Sequence, residues 1–243
     1  MSAERTAEEP LETPSAAVDA RDVSPGFRSR VKRLIPRALA IQRLRPSPQP
    51  TVLLTFDDGP HPEITPAVLE RLERHNARAV FFVIGRRARR AHQLLERIQS
   101  AGHLIGNHSH LHRDGYVLPD APQVSFLSYY RDCARCQAVV AHSTGAAPLL
   151  FRPPGGRMTP ATMVTPRLLG MRSVLWSREV SDWSFRRSEE ARAGAVELLR
   201  IIAPQDIVLL HDDNRCVLDL LDVLLPELRS RGFDLASGVD LVL

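Results

Sequence analysis

The stretch Thr51-Val52-Leu53-Leu54-Thr55-Phe56-Asp57-Asp58-Gly59-Pro60 sets the reading of the whole chain. An apolar run ends in adjacent carboxylates, and Gly59-Pro60 then turns the backbone. Side chains alternate along a strand, so a bend is needed to bring both acids to one site. The pairing suggests a division of labour, with one carboxylate on a metal and the other free as a base. Taken alone, the stretch also reads as an exposed turn with solvated aspartates. The rest of the chain decides between these.

With 243 residues and 44% hydrophobic content, the chain can bury one substantial core, a single domain with a tail. Residues 1–26 are rich in Glu, Ala, Ser and Pro and are predicted to be disordered. Residues 27–50 carry six Arg and Lys32 but no acid. Val31, Leu34, Ile35, Ala38, Ile41 and Leu44 recur there at near-helical spacing, which predicts a basic helix. Two readings apply to it: packing against the domain, which the interruption at Pro36 favours, or lying on a membrane or partner. A Pro-rich linker follows over 45–50, so 1–50 is an N-terminal extension and 51–243 the folded domain.

Downstream of residue 50 the charges nearly balance, which gives no case for a nucleic-acid-binding face. No apolar run approaches the ~18 residues of a membrane span, and the N-terminus lacks a basic-then-apolar secretory pattern. An odd count of 3 cysteines does not form a disulfide framework. These features point to a cytoplasmic protein with no integral membrane segment.

Beyond residue 50, short apolar runs alternate with helical patterns. Candidate strands fall at 51–56, 79–84, 104–106, 149–152, 172–176, 207–211 and 233–236; helices are predicted at about 63–75, 86–101, 123–142, 160–169, 188–203 and 215–231. No strand pair carries a two-residue hairpin signal, so the alternation predicts parallel strands with helical crossovers. About seven such units suit an α/β barrel better than an open sheet. Each chemically suggestive group follows a candidate strand: Asp57 and Asp58, His108 and His112, Arg152, Asp182, His211. Parallel α/β folds gather their sites at those strand ends.

Gly106-Asn107-His108-Ser109-His110-Leu111-His112 places His108 and His112 four residues apart, on one face if the segment is a helical turn, with His110 pointing elsewhere. Two imidazoles and a carboxylate make a three-ligand set with open positions, as in a catalytic zinc-type site. Phe151-Arg152-Pro153-Pro154-Gly155-Gly156 leaves a strand into a rigid turn whose glycine N–H groups suit an oxyanion. Asp182 is a candidate partner for Arg152, and Trp183 reads either as the wall of a small apolar pocket or as ordinary core. His211, at the end of an apolar strand, suits proton transfer near neutral pH; Asp212 or Asp213 would tune it or begin the next helix. Cys133-Ala-Arg-Cys136 has redox spacing inside a predicted helix, where packing is the favoured role.

Together these motifs resemble the polysaccharide deacetylase family, carbohydrate esterases that include chitin, peptidoglycan and nodulation-type chitooligosaccharide deacetylases. The likeness runs from about Thr51 to His211. Thr-Phe-Asp-Asp-Gly-Pro and His-Ser-x-x-His are its specific motifs. It implies a distorted (β/α) barrel that removes the N-acetyl group of an amino sugar, in an oligo- or polysaccharide, with a divalent metal. Zinc is the expected ion, with cobalt or nickel as alternatives, and the partner is an N-acetylated carbohydrate. By matching motif, Asp57 resembles the base, and Asp58, His108 and His112 the metal ligands. Arg152 resembles the residue orienting the base, Asp182 its acidic partner, and His211 the general acid. Trp183 and Leu209 correspond to the acetyl-methyl pocket, and Gly155 to the oxyanion donor. The chain departs from the pattern at Gly155, where an aromatic is common, at Glu179, where Asp is frequent, and in lacking a secretion signal. Gly155 and the missing secretion signal keep open a deacetylase or amidase of a small sugar or natural-product intermediate. A non-catalytic carbohydrate-binding protein on the same fold is the further alternative.

Overall fold

The structure, a computed structural model, describes residues 39–113 and 125–243. The predicted disordered segment 1–26, and the predicted basic helix as far as residue 38, lie outside the described residues. Six parallel strands form one curled sheet: β1 (Leu53–Asp57), β2 (Ala79–Val83), β3 (Leu104–Asn107), β4 (Leu150–Phe151), β5 (Arg172–Ser173) and β6 (Ile207–His211), in the order β5-β4-β3-β2-β1-β6. Every residue of β1, β2 and β6 is buried, as expected of strands covered on both faces.

The crossovers are α1 (Ile64–Arg74), the short α2 (Gly85–Ala88), α3 (His92–Ser100), α4 (Phe126–Thr144), α5 (Pro160–Leu168), α6 (Ser188–Ile201) and α7 (Cys216–Ser230), with α8 (Gly238–Leu241) at the end. Short-range chemistry bounds several of them. The Ser125 hydroxyl caps α4 by accepting the Ser128 N–H, and Gly145, at φ 74°, ends it. A reciprocal Thr159–Thr162 capping box opens α5. Apolar faces of α1, α6 and α7 (Val68, Leu72, Leu198, Leu221, Leu225) bury against the sheet. Each such side chain contributes about 1.5–3 kcal/mol through water exclusion. Among the described residues no helix is long and apolar enough to cross a membrane.

Two sequence expectations are corrected. The seventh strand, at 233–236, is a single parallel bridge between Thr51 and Asp234. The Asp234 carboxylate takes the N–H groups of Ala236 and Ser237, folding the chain into α8 before a ladder can form. The described end of the predicted 27–44 helix is extended instead. Ile41 bridges Val174 and Arg43 bridges Asp206, so this segment lies between the chain after β5 and the chain before β6. There it satisfies backbone groups of Ser173, Leu175 and Gln205, which a helix could not reach. Arg178 bridges Val208 beside it, drawing the β5 and β6 sides of the sheet together into a distorted barrel.

Register positions the site. Asp57 is the cross-strand partner of His211, Val83 of Asn107, and Asn107 of Phe151. One residue beyond each pairing, the chain delivers Asp58, His108 and Arg152 to the same end of the barrel.

Candidate active site

The turn after β1 solves the problem of alternating side chains. Asp57 is the last strand residue and points to the buried interior, and Asp58 takes a left-handed conformation, φ 73°. That twist, uncommon for a non-glycine residue, puts both carboxylates beside His108: Nε2 lies 3.7 Å from Asp57 Oδ2 and 3.5 Å from Asp58 Oδ1. Gly59 is required, since a Cβ there would sit 2.3 Å from the Asp212 carboxylate oxygens. The Gly59–Pro60 peptide is cis.

His112 Nε2 reaches Asp58 Oδ1 at 3.0 Å. The spacing of four does not act through a helical turn, as the sequence suggested. The segment is irregular, with Ser109 at φ 63° and His112 at φ 57°, and these left-handed residues fold His112 back over Asp58. His110 points elsewhere and is buried. The ligating atoms of Asp58, His108 and His112 all lie within 4.8 Å of one another. Asp58 Oδ1 is buried and takes no aligned hydrogen bond, despite the nearby imidazole. A buried oxygen facing two ring nitrogens fits a cation between them.

The electrostatics of Asp58 and His108 agree. Burial alone would raise the Asp58 pKa, but contact with His112 and the charges of His108, His112 and His211 push it well below the ordinary value. Burial lowers the pKa of His108 against the pull of Asp57 and Asp58, favouring the neutral ring a metal ligand needs. His108 Nδ1 lies 2.8 Å from the Arg152 carbonyl, so Nδ1–H donates there and Nε2 keeps its lone pair toward the cluster. His112 is raised: burial opposes its charge, but Asp58 and Asp57 outweigh this.

Arg152 is fully buried behind Asp57. Its Nη1 donates to Asp57 Oδ1 at 2.7 Å and to Thr55 Oγ1 at 2.8 Å, while Nε and Nη2 donate to the carbonyls of Val174 and Leu175. Burial pulls the guanidinium pKa down; Asp57, and more weakly Glu179, act against this. With Oδ1 engaged, only Oδ2 of Asp57 faces the cluster. Thr55, which also donates to the Val208 carbonyl, is a supporting residue that sequence reasoning missed; its signal is its place two residues before Asp57 on the same strand face.

Asp182 does not pair with Arg152. Its Oδ1 lies 2.9 Å from His211 Nδ1, and its Oδ2 accepts the His211 N–H at 2.8 Å. The reason is local: a turn at residues 182–184, entered through Ser181 at φ 54°, carries the acid toward β6. Asn214 ties this turn down by donating to the carbonyls of Asp182 and Phe185. Burial alone would lower the His211 pKa, but the Asp182 hydrogen bond and charge, helped by Asp57 and Asp58, raise it to about 9.

Asp212 and Asp213 therefore do not tune His211 by contact. Asp212 is buried and hydrogen-bonded to the Thr65 hydroxyl, and Asp213 ion-pairs with Arg87 at 3.0 Å. Neither begins α7, whose first N–H is taken by the Asn214 side chain. Arg87 also donates to the Asp58 carbonyl at 2.6 Å, a link with no sequence signal. Leu209 is buried two residues before His211, on the same strand face. Gly155 sits at φ 63° with no atom closer than 3.8 Å to where a Cβ would be. Trp183 is 52% exposed, which removes the core reading. Cys133 and Cys136 are buried, and burial pushes both thiols up, Cys136 to about 12, so they are neutral packing groups.

Comparison with known proteins agrees with this arrangement. Residues 45–174 match the polysaccharide deacetylase family model, a span holding Asp57, Asp58, His108, His112, Arg152 and Gly155. The chain is 31% identical over 209 residues to the peptidoglycan-N-acetylglucosamine deacetylase PgdA of Listeria monocytogenes, covering 85% of this chain but 42% of that protein's length. It is 33% identical over 202 residues to a chitooligosaccharide deacetylase of Azorhizobium caulinodans, covering 77% of this chain and 92% of the relative. Among solved structures, the peptidoglycan deacetylase PdaC of Bacillus subtilis superposes with a TM-score of 0.71 at 27% identity, over 80% of this chain and 92% of that one. The chain belongs to the polysaccharide deacetylase family.

Proposed function

We propose that this protein hydrolyses the N-acetyl group of an amino sugar within an oligo- or polysaccharide, with a divalent metal held by Asp58, His108 and His112. The observation that carries the reading is the placement of two proton-handling groups, Asp57 and His211, as cross-strand partners at the strand ends beside that cluster. Neighbouring strands lie about 4.8 Å apart, so one amide can meet both groups at once.

A bound divalent ion supplies Lewis acidity for the amide oxygen and lowers the pKa of water at the site. A two-nitrogen, one-carboxylate donor set suits zinc first, then cobalt or nickel. Asp57 is the base. Arg152 holds its Oδ1, which leaves Oδ2 to take a proton from the attacking water. His211 is the acid: Asp182 holds Nδ1, so Nε2 is free to protonate the departing amine, and a pKa near 9 keeps the ring charged at neutral pH. The Gly155 N–H is the proposed oxyanion donor. Leu209 and Trp183 would wall the acetyl methyl.

Open space at Gly155 favours a second reading, a small N-acetylated sugar or natural-product intermediate as substrate. One experiment addresses both. Protein stripped with chelator and reloaded with zinc or cobalt is given N-acetylglucosamine, its β-1,4 oligomers, a peptidoglycan fragment and small N-acetylated sugars, and acetate is measured. Release that requires metal and disappears in Asp57→Asn supports the reading, and the preferred substrate separates polymer from small molecule. Sugar binding without acetate release in metal-replete protein would leave a non-catalytic binding protein.

A further inference from the structure

The turn bearing His108 and His112 leaves the sheet once the His108 N–H has met the Val83 carbonyl at 3.0 Å, so beyond that point something other than a backbone ladder must hold its shape. Its backbone partners are few. Ser109 and His110 give their carbonyls to the N–H groups of Gly85 and Arg86 at the start of α2. The Ser109 N–H goes to the Asn107 side-chain oxygen at 2.8 Å. The N–H groups of His110 and Leu111 converge on one atom, Oδ2 of Asp132, at 3.0 and 3.3 Å.

Asp132 is on α4, and its position there is anomalous. The buried stripe of that helix is Tyr129, Asp132, Cys133, Cys136 and Val140, an apolar face interrupted by one carboxylate that is 7% exposed. A buried acid is retained only where it is hydrogen-bonded, and here its Oδ2 accepts N–H groups of the histidine turn. The next residue completes a clamp: the Cys133 carbonyl accepts from Asn107 Nδ2 at 2.8 Å, immediately before His108. Two successive residues of α4 thus grip the turn on both sides of the first histidine.

We propose that Asp132 is a positioning residue for the metal ligands, setting the distance and angle at which His108 and His112 meet Asp58. The inference rests on the metal reading above. It locates the support for the ligand set in a helix that contributes no ligand itself.

The test uses full-length protein, with Co2+ as the probe followed by its visible absorption and by competition with a chromophoric chelator. Amide hydrogen exchange at His110 and Leu111 is measured alongside in metal-free protein. Asp132→Ala is expected to weaken cobalt affinity about 10–100-fold, to alter the cobalt spectrum and to accelerate exchange at both amides. Asp132→Asn keeps an acceptor oxygen without the charge. It should recover part of the affinity, remaining about threefold or more below wild type, and it carries the test if the alanine variant does not fold. Val140→Ala, a cavity in the same buried stripe, should lower thermal stability and leave cobalt affinity and spectrum unchanged. Wild-type affinity and spectrum in the Asp132 variants would overturn this proposal alone, as would equal weakening in Val140→Ala. Failure of wild-type protein to bind cobalt would overturn the metal reading and this inference with it.

Discussion

Two neighbouring strands of the barrel end in paired aspartates, and the pairs have opposite fates. At the end of β1, Asp57 and Asp58 both turn into the site. Beyond β6, after His211, Asp212 and Asp213 turn away: one is sealed against the Thr65 hydroxyl, the other paired with Arg87 near the surface. Asp57 and His211 share a register, so the strands deliver the two pairs at nearly the same height. Backbone geometry and neighbours separate them. Asp58 is left-handed and faces imidazoles, and its pKa is driven down. Asp212 is buried with one hydroxyl partner; burial, with the charges of Asp213 and Asp58, overcomes that hydrogen bond and raises it to about 7. A carboxylate acquires a task here from the groups it meets, and sequence adjacency is a poor guide to them.

The comparison breaks most visibly at Asp57. Asp57→Asn is expected to lower acetate release by about 10²–10⁴-fold, the usual worth of a positioned base, while cobalt still binds. Metal-dependent turnover near wild-type level in this variant would put the β1 pair on the same footing as the β6 pair.

Next in size is the group that connects the pairs, His211. Asp182→Asn removes the charge that raises its pKa, so the alkaline limb of the rate profile should move down from about 9, with a loss of activity on the order of 10–100-fold. A stability signature accompanies it. The folded pKa lies above the ordinary 6.5, so this interaction stabilises the wild-type fold fully below about 6.5 and is lost as pH rises through about 9. Thermal unfolding across that window should decline in wild type and flatten in Asp182→Asn. An alkaline limb that stays in place would separate the Asp182 contact from the acid's titration.

How much of this is legible in the sequence follows from the range of each interaction. Asp57-Asp58, His108 and His112 stand out because short local patterns at strand ends carry them, and the alternation of elements gives the barrel. Partnerships across the sheet leave no such trace. Asp182 is 30 residues from Arg152 and 29 from His211, and only the left-handed entry at Ser181 decides which one it meets. The segment at 233–236 has the apolar content of a strand, yet a local Asp234 turn outcompetes the ladder. The residues before 45 show helical spacing, but Ile41 and Arg43 are recruited to the gap between β5 and β6, a tertiary demand that overrides pattern. Asp132 is the instructive intermediate case. An acid in an apolar helical stripe is visible in the sequence, though its partner turn is not.

Within the β6 pair, Asp212→Asn should act on stability more than on metal affinity. Its folded pKa is raised from 3.8 to about 7, so over that window the folded state holds more proton than the unfolded state and stability falls as pH rises. Asparagine imitates the protonated form and still accepts from Thr65. The variant is therefore expected to be more stable than wild type at pH 8, by something on the order of 1–3 kcal/mol, with the advantage shrinking toward pH 4. Denaturant melts at both pH values decide the matter, and a destabilised variant at pH 8 would mean the carboxylate is used in its charged form.

The smallest expected effect belongs to Asp213, and its smallness is what sharpens the contrast. Its ion pair with Arg87 is roughly a third exposed on the guanidinium side, where screening reduces such pairs to about 0–1 kcal/mol. Arg87 keeps its second acceptor, the Asp58 carbonyl, whether or not Asp213 is charged. Asp213→Asn should then leave cobalt affinity and acetate release near wild type and shift stability by no more than about 0.5 kcal/mol. A large loss of cobalt affinity would mean that the β6 pair reaches the metal cluster through Arg87, and that the division between the two strand ends is a relay.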